Sequence, residues 1–309
     1  MSLSTVSLAV HWRFIGVFML FCSVPLAALA QAETSGNVAT SYDIYPLEFT
    51  DVANDFVVSP GKAEVTINPG ETKIVPITVS NRLGETKRFS IDIEDLGTSD
   101  DPNRATVLLG ARTGPYTLKD LLTVAVPEFT LEHATRAVIP VSISIPPDAE
   151  PGGRYGSVLI KTVTKTATEG SAVAAAPSSA IVSRIGVLFF VTVPGDTIRS
   201  GQLADFSLKN QQSIFNAGPI PFAITFQNTG SAHVNPYGEI SITNLTGEEV
   251  GFIEIDPWFV LPQSVRLREI SWDREVLFGR YTATLRLNRG YNDIIDEDSV
   301  HFWVIQWDK

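Results

Sequence analysis

The chain has 309 residues, 44% of them hydrophobic and 18% charged, and acidic side chains outnumber basic ones to give a net charge of −11. This composition is that of a folded globular protein and excludes a largely disordered chain. The acidic balance excludes a protein that binds nucleic acid or anionic lipid, since both surfaces are negatively charged and would repel it.

The first 30 residues have the pattern of a secretory signal peptide. Arg13 precedes an apolar run over residues 14–29, which ends in the small-residue triplet Ala28-Leu29-Ala30 that a signal peptidase cuts. The mature protein is therefore predicted to begin near Gln31 and to be exported. The alternative is an uncleaved anchor helix, although the run is shorter than the ~20 residues of a membrane span and contains Pro25.

Cleavage would also remove Cys22, the only cysteine of the chain. An exported chain without thiols forms no disulfides, so its stability depends on apolar burial and backbone pairing. This favours a bacterial envelope protein over a eukaryotic secreted receptor domain. No later stretch reaches the length of a membrane span, so contact with a membrane is expected only indirectly or through an uncleaved signal segment.

Short strands separated by turn residues are predicted after a flexible lead at residues 31–54. Ala63, Val65 and Ile67 alternate with polar neighbours, as in a half-buried strand. The sequence Asn68-Pro-Gly-Glu71 then predicts a type II turn, which makes either a hairpin or a corner where the chain changes sheets. Further strands are predicted at 72–80, 87–94 and 136–145, with one helical turn at 117–122.

Residues 143–193 contain the corner and the two core strands around which the first half of the chain is predicted to fold. Pro146, Pro147 and Pro151 exclude a helix and a central strand at the start of this stretch, while the pair Gly152-Gly153 permits a tight corner. Residues 155–160 and 185–193 are β-branched, aromatic or aliphatic and predict two core strands. The small-residue segment 164–180 between them predicts a mobile loop.

The second half has a similar pattern of strands and turns. Strands are predicted at 203–208, 220–227, 239–244, 249–255, 264–272, 280–288 and 299–306. The predicted fold class is all-β, with two tandem immunoglobulin-like β-sandwich domains at 55–196 and 197–309 that follow the signal peptide (1–30) and the lead (31–54).

Several turn and strand motifs carry a family resemblance over most of residues 55–306. They are Val58-Ser-Pro60, Asn68-Pro-Gly-Glu-Thr-Lys73, Ile145-Pro-Pro-Asp-Ala-Glu-Pro-Gly-Gly-Arg-Tyr-Gly156, Ile185-Gly-Val-Leu-Phe-Phe-Val-Thr-Val-Pro-Gly195, Phe226-Gln-Asn-Thr-Gly230, Val234-Asn-Pro-Tyr-Gly-Glu-Ile240 and Gly279-Arg-Tyr-Thr-Ala283. With these motifs the chain resembles the exported WxL-interacting proteins of bacterial envelopes and their relatives.

The resemblance implies attachment to peptidoglycan and contact with other surface proteins. A membrane helix usually follows the last strand in that family, whereas this sequence stops at Lys309, so anchoring through its own C-terminus is not expected. The sequence also contains no Trp-x-Leu triplet, which excludes the WxL partner itself.

No arrangement of residues predicts an enzyme, a metal site or a cofactor. His133, His233 and His301 have no second His or Cys at metal-ligand spacing, and neither a Gly-x-Ser-x-Gly elbow nor a phosphate-binding loop occurs. Two acidic groups, at 92–95 and 293–298, offer oxygen ligands for calcium. They lack the spaced glycine pattern of a calcium loop, which favours solvated acidic surfaces.

The predicted binding residues are Arg154, Arg184, Tyr237 and Trp258. The two arginines flank the organising strands, where they could grip a carboxylate of peptidoglycan or of a partner's terminus; ordinary surface arginines are the alternative. Tyr237 belongs to a set of aromatic residues concentrated in the second half. Trp258 lies in a loop-like stretch and is predicted to be exposed.

Three functions follow from these observations. The preferred one is a non-catalytic bacterial cell-envelope or surface protein that binds a wall polymer (peptidoglycan) or another exported protein through its immunoglobulin-like domains. The second is a periplasmic-type chaperone that acts by strand donation, which requires a basic pair in a cleft between the domains and is favoured by an unpaired edge strand in the first domain. The third is a glycan-binding accessory module, favoured by a planar aromatic surface around Trp258. Fold analogy alone does not decide among them.

Overall fold

A computed structural model describes residues 42–163 and 183–305 of the chain. Their regular structure is β-strand apart from two single-turn 3-10 segments, Lys119–Leu121 and Lys209–Gln211, so the all-β prediction is confirmed and the first segment lies at the predicted helical turn. The strands are β1 (Asp43–Pro46), β2 (Asp55–Ser59), β3 (Lys62–Thr66), β4 (Thr72–Arg82), β5 (Lys87–Gly97), β6 (Val107–Leu108), β7 (Leu122–Val124), β8 (Glu128–Leu131), β9 (Thr135–Ser144), β10 (Gly152–Thr162), β11 (Arg184–Val193), β12 (Gly201–Leu208), β13 (Ile214–Phe215), β14 (Ile220–Asn228), β15 (Tyr237–Asn244), β16 (Glu249–Ile255), β17 (Ser264–Trp272), β18 (Gly279–Asn288) and β19 (Ile295–Val304).

The predicted signal peptide, the start of the lead and the loop at 164–180 lie outside the described residues. Within the predicted lead, the sequence at 42–49 also indicates an edge segment, and Asp43–Pro46 does pair with β9 as the edge strand β1. In the described part of the chain, no helix has the length and apolar character needed to cross a membrane.

Two sheets of the first half pack face to face and form the N-terminal sandwich. One sheet has the order β1-β9-β4-β2, with β7 also paired to β9, and the other has the order β3-β11-β10-β5-β6, with β8 paired to β5. Alternate residues of each strand enter one core, for example Ile77 and Ile139 from the first sheet and Phe89 and Phe189 from the second. The period-2 patterns of the sequence thus correspond to core-facing positions.

The C-terminal sandwich is built in the same way from the remaining strands. Its sheets have the orders β12-β14-β17 and β13-β19-β18-β15-β16. Its core is separate from the first and contains Phe222 and Phe226 from one sheet and Leu285 and Phe302 from the other. Trp272 is buried in this core as well.

The segment that forms β2 and β3 is divided between the two sheets of the N-terminal sandwich. β2 pairs antiparallel with β4 as far as Ser59. Pro60, which has no N–H to donate, and Gly61 then carry the chain across to β3, which pairs parallel with β11 in the other sheet. The chain returns to the first sheet at the turn that begins at Asn68, where Gly70 has φ of +82°. Of the two sequence-based alternatives for this turn, the sheet-changing corner is confirmed.

Each sandwich contains one fully buried asparagine with the same hydrogen bonds. Asn81 is the second-last residue of β4 and Asn228 is the last residue of β14, and neither exposes more than 1% of its surface. In both, the side-chain NH2 donates to the carbonyl four residues ahead and to a carbonyl far along the chain, while Oδ1 accepts from the N–H two residues ahead. The partners are Glu85, Leu131 and Leu83 for Asn81, and Ala232, Val260 and Gly230 for Asn228.

Candidate functional site

A third, smaller core joins the two sandwiches and is centred on Tyr155. Val158 and the other even-numbered residues of β10 face the N-terminal core, so Tyr155 lies on the outer surface of its sheet, yet it has no exposed area. Its ring packs edge-on against Phe190 of β11 at 5.2 Å and against His233 at 5.6 Å between centroids. Phe190 also meets Phe259 nearly at right angles, at 4.7 Å. The C-terminal sandwich therefore covers one end of this outer surface.

Polar groups at the junction are paired around the Tyr155 hydroxyl. It accepts a hydrogen bond from the backbone N–H of His233 at 2.8 Å and lies 3.2 Å from the Nδ1 atom of the same residue. The Gly153 N–H donates to the Ser231 carbonyl at 3.3 Å. A Cβ atom at Gly153 would overlap the Tyr155 hydroxyl, which explains a glycine in the predicted corner. Burial raises the pKa of Tyr155 well above its ordinary value.

Charged groups from both sandwiches surround the same cluster. Lys62, the first residue of β3, places its ammonium 5.7 Å from the Phe190 ring centre and 5.6 Å from that of Phe259. It also donates to Glu64 Oε1 at 2.8 Å, and that oxygen is 3.5 Å from His233 Nε2. Burial would raise the pKa of Glu64, but Lys62 and His233 lower it below its ordinary value. Burial lowers the pKa of His233 against the opposing effect of Glu64, so the imidazole is neutral at pH 7.

A basic pair flanks one aromatic ring at this junction. The Arg266 guanidinium lies 4.5 Å from the centre of the Phe259 ring and donates to the Phe259 carbonyl. Lys62 approaches the same ring from the N-terminal sandwich. These contacts are cation–π interactions in a partly desolvated setting, where each contributes about 1–2 kcal/mol.

One half of β11 lacks a neighbour on the side away from β10. β11 pairs with β10 from Arg184 to Val193, whereas β3 pairs only with Leu188–Thr192. Among the described residues, no strand lies beside Arg184–Val187 on that side; this segment is the open edge. The Leu188 N–H donates to the Gly61 carbonyl on the β3 side. Because backbone groups alternate along a strand, the N–H groups of Arg184 and Gly186 point the same way, toward the vacant side.

A groove of about 640 Å³, lined by both polar and apolar side chains, lies on the outer surface of the sheet beside the open edge. Gly186 and Leu159 are directly opposite each other across β11 and β10 at its floor. A Cβ atom at Gly186 would lie 2.8 Å from both Leu159 Cδ2 and Ser157 Oγ, so these side chains occupy the space that the glycine leaves. The far wall is the β5–β6 hairpin, whose Leu108 is 41% exposed.

Two arginines stand at the rim of the groove. Arg184, a predicted binding residue, forms an ion pair with Glu94. Arg104 has 72% of its side chain exposed and approaches Asp101 only to 3.7 Å. Exposed pairs at such a distance contribute little free energy, so the Arg104 guanidinium is open to a further partner.

The four predicted binding residues do not come together. Arg154 and Arg184 lie at opposite ends of the β10–β11 pair, and Arg154 donates to the carbonyl of Glu150 at 3.3 Å. Tyr237 is 42% exposed at the start of β15, in the C-terminal sandwich. It lines a surface depression of about 550 Å³ on that sandwich. No single site in the described residues contains these side chains.

The prediction that Trp258 is exposed is wrong. Only 6% of its surface is accessible, and its ring packs in the core of the C-terminal sandwich. Its backbone N–H donates to the Pro236 carbonyl at 3.1 Å, and the Arg268 guanidinium covers the ring at 5.1 Å. The neighbouring proline marked an irregular segment correctly, but that segment folds inward, so the planar aromatic surface expected around Trp258 is not formed.

The first acidic group has structural partners rather than a metal site. Asp95 is fully buried, and its carboxylate accepts hydrogen bonds from the Thr117 hydroxyl and from the N–H groups of Leu118 and Lys119, at 2.7–2.8 Å. It therefore fixes the start of the 3-10 turn. Within residues 42–163 and 183–305, no three His, Cys, Asp or Glu side chains converge in a way that could hold a metal ion.

Sequence reasoning missed Gly186 at the open edge, and it missed the junction around Phe190. A signal was present, because residues 185–193 are apolar at nearly every position instead of alternating. Strands with that pattern are buried on both faces. The core of the N-terminal sandwich covers one face of β11, and the junction cluster covers the other face near its C-terminal end, at Phe190.

Comparisons with known proteins return solved structures only. No family model and no curated protein matches the sequence. The chain is similar to the class 5 fimbriae chaperone CfaA at 10% identity, over 81% of this chain and 99% of that one, with a TM-score of 0.38. It is similar to the CupB2 chaperone of Pseudomonas aeruginosa at 14% identity, over 80% and 100%, with a TM-score of 0.35. The CsuC–CsuE chaperone–tip complex of Acinetobacter baumannii matches at 9% identity, over 81% and 99%, with a TM-score of 0.36.

The positions of the predicted binding residues correct the preferred function drawn from the sequence. The prediction of a wall-polymer-binding protein is wrong, because the arginine and aromatic residues expected to hold peptidoglycan are spread over distant parts of the described chain.

Proposed function

We propose that the chain is a non-catalytic exported protein that binds another protein by β-strand addition, as a periplasmic-type chaperone does. The observation that carries the proposal is the open edge of β11, where Arg184–Val187 has no strand beside it in the described residues. The unpaired N–H and C=O groups of such an edge are a template for a further strand.

The surroundings of the open edge support a protein partner. A strand added there would gain main-chain hydrogen bonds from Arg184 and Gly186, and it would lie next to a groove lined by both polar and apolar side chains. Affinity in such complexes comes from the main chain, and specificity comes from pockets for alternate side chains. Lys62 and Arg266 at the junction supply the basic pair that the chaperone hypothesis required.

The finer description of the fold is part of the same proposal. We assign two tandem immunoglobulin-like domains, at 55–196 and 197–309, in a protein of the bacterial envelope. Two separate cores and the matching hydrogen bonds of Asn81 and Asn228 support two copies of one fold. The likeness to WxL-interacting proteins remains a prediction from turn and strand motifs.

The proposal is tested by hydrogen exchange with strand-forming peptides. Ten-residue peptides of alternating apolar and polar residues, selected from a displayed library against the mature protein, serve as probes. In the free protein the N–H groups of Ile185 and Val187 face β10 and are expected to exchange slowly, whereas those of Arg184 and Gly186 are expected to exchange fast. A bound strand is expected to slow the exchange of Arg184 and Gly186.

A matched pair of variants separates the contribution of the Arg184 backbone N–H to peptide binding from that of its side chain. Arg184→Pro removes the N–H that faces the vacant side, at the first residue of a strand, where proline is tolerated. Arg184→Ala removes the guanidinium and its ion pair with Glu94 but keeps the N–H. Strand addition predicts weaker peptide binding for Arg184→Pro and nearly unchanged binding for Arg184→Ala. Equal binding by Arg184→Pro, or protection that appears only at other edges, would contradict the proposal.

A further inference from the structure

We propose that a cavity at the junction of the two sandwiches binds one small, uncharged aromatic molecule, and that this molecule helps to hold the sandwiches together. This junction cavity has a volume of about 260 Å³. Both sandwiches contribute side chains to its lining, chiefly Leu96, Leu109, Tyr116 and Tyr155 from the first and Leu261 and Pro262 from the second. The inference concerns a small-molecule site and does not depend on strand addition at the open edge.

The junction cavity is an unfilled part of the junction core. Leu96, Tyr155 and Leu261 belong to the same hydrophobic cluster as Phe190 and expose at most 3% of their surface. Tyr116 packs against this cluster, with its ring centre 6.0 Å from that of Tyr155. Protein interiors are close-packed, and voids larger than a water molecule are few. The apolar groups around the cavity therefore lack contacts on one side, and a ligand can supply them.

One wall of the junction cavity is held in place by close packing. A Cβ atom at Gly97 would lie 2.7 Å from Leu109 Cδ2, and one at Gly114 would lie 2.9 Å from Leu109 Cδ1. The leucine therefore lies directly against both glycines. The Tyr155 N–H donates to the Tyr116 carbonyl at 2.9 Å, which fixes the backbone of a second lining segment. A site whose walls are fixed before binding loses little free energy to ordering when a ligand enters.

The lining favours an uncharged ligand. Of the described residues that line the junction cavity, none is charged, although 18% of the chain is. The Tyr155 hydroxyl already accepts from the His233 N–H. At the rim, the side-chain NH2 of Gln263 donates to the carbonyls of Thr229 and Gly230. A charged ligand would lose its hydration here without gaining an ion partner, so its binding is disfavoured.

The size of the junction cavity and its two tyrosine rings favour a small aromatic molecule. Its volume of about 260 Å³ is below the range of about 300–1,000 Å³ that is typical of sites for drug-sized ligands. It exceeds the roughly 150 Å³ of an apolar cavity that holds benzene. One ring or a fused pair of rings fits this space, whereas a peptide segment does not. Edge-on packing against Tyr116 and Tyr155 adds attraction beyond simple burial.

A molecule in the junction cavity would contact both sandwiches at once. Two main-chain hydrogen bonds already join them, from the Gly153 N–H to the Ser231 carbonyl at 3.3 Å and from the Leu267 N–H to the Pro102 carbonyl at 2.8 Å. Separation of the sandwiches would break these bonds and also divide the walls of the cavity. A ligand that binds only the closed junction shifts the equilibrium toward it in proportion to its saturation.

The test is a solution NMR titration of the mature protein with indole, with indole-3-carboxylate as the charged control. We expect nuclear Overhauser contacts between indole and the methyl groups of Leu96, Leu109 and Leu261, and a dissociation constant below about 1 mM. The carboxylate should bind at least about tenfold more weakly. With free indole at about ten times its dissociation constant, hydrogen exchange of the Gly153 and Leu267 N–H groups should slow about tenfold.

A matched pair of leucine variants checks the location of the site. Leu109→Ala removes part of the wall and should weaken indole binding about fivefold through lost contacts. Leu108→Ala is the control, because this neighbouring leucine is 41% exposed and lies outside the lining of the junction cavity, and it should leave binding unchanged. The Overhauser contacts in the wild type locate the ligand even if Leu109→Ala does not fold.

Three results would each overturn the proposal. The first is the absence of Overhauser contacts between indole and the lining methyl groups, or contacts only at other sites. The second is equal binding of indole and indole-3-carboxylate. The third is unchanged hydrogen exchange of Gly153 and Leu267 when the cavity is saturated, because the ligand would then not hold the sandwiches together.

Discussion

The Tyr155 hydroxyl is the group around which the hydrogen bonds to His233 at the junction are formed. Tyr155→Phe keeps the ring but leaves the buried His233 N–H without its acceptor at 2.8 Å. An unsatisfied buried donor costs about 1–3 kcal/mol, so the free energy of unfolding should fall by that amount in urea titrations. Tyr237→Phe is the control, because Tyr237 is 42% exposed and its loss should cost less than about 0.5 kcal/mol. Equal effects of the two variants would show that the junction bond contributes nothing.

His233 makes stability depend on pH in a defined window. Its pKa in the folded protein is lowered, chiefly by burial, from an ordinary value near 6.5. Below about pH 6.5 the unfolded chain therefore binds a proton that the folded protein does not yet bind, and the free energy of unfolding falls as the pH falls. The charged groups that face this imidazole are Lys62, Arg199 and Glu64, and the pKa of the Glu64 carboxyl is itself lowered.

The measurement is the free energy of unfolding at pH 7 and at pH 5 for the wild type and for His233→Gln. The wild type should lose more stability than the variant over this interval, since glutamine does not titrate. A wild type whose loss matches that of His233→Gln would contradict the assignment. The effect of Glu64 falls in a lower window, below its ordinary pKa, and does not overlap with this comparison.

Individual binding residues were the least predictable feature from sequence. Arg184 does lie at the groove, because a strand terminus brings it there, but its neighbour Gly186 carries no chemistry that a sequence could flag. Trp258 was misjudged because a proline beside a tryptophan does not indicate which way a loop folds. The exposure of a loop residue depends on the sheet that it lies against, and that information is not local.

At the scale of elements, the ends of β4 and β14 are fixed by one buried asparagine each. Asn81→Ala and Asn228→Ala each remove two donors and one acceptor from buried carbonyl and N–H partners. Each variant should lose about 1–3 kcal/mol in chemical unfolding, and because the sites lie in separate cores the two losses should be additive. Asn103→Ala, at an exposed loop position, should change stability little. Losses that are far from additive would contradict the assignment of two separate cores.

Most strands were predictable because period-2 patterning is strong in this chain. Thr72–Ser80, Ser264–Trp272 and the strands around them follow from alternation and turn residues. The division of the segment that forms β2 and β3 between two sheets was not predicted. Pro60 and Gly61 mark a break, but the choice of sheet after the break is decided by pairing with β11, more than 120 residues later in the chain. The open edge exists because β3 pairs with only part of β11, and the local sequence does not predict this pairing.

At the scale of the whole molecule, the junction is decided by residues that are distant in sequence. Phe190 lies in a predicted strand, yet its ring partners Tyr155, His233 and Phe259 come from three separate segments. A second hydrophobic face on β11 could be expected from the unbroken apolar run. The element that covers this face could not be predicted. The C-terminal sandwich has its own strand pattern, and the two halves of the sequence are not a repeat that could be aligned.

Phe190→Ala should uncouple the two sandwiches. The ring has no exposed area and is held by three aromatic partners and by the Lys62 ammonium, so its removal leaves a cavity where the cores meet. Truncation of a buried phenylalanine costs about 3–5 kcal/mol, and here the loss falls on the interface between the cores. Nitrogen-15 relaxation should give one rotational correlation time for both sandwiches in the wild type and two different times in the variant.

The control for this prediction is Phe302→Ala. Phe302 is equally buried but lies inside the core of the C-terminal sandwich, so its loss should lower stability and leave a single correlation time. If Phe190→Ala also keeps a single time, the hydrogen bonds from Gly153 to Ser231 and from Leu267 to Pro102 hold the sandwiches together without the aromatic cluster. In that case main-chain contacts hold the two sandwiches together, and Tyr155→Phe should cost less than predicted above.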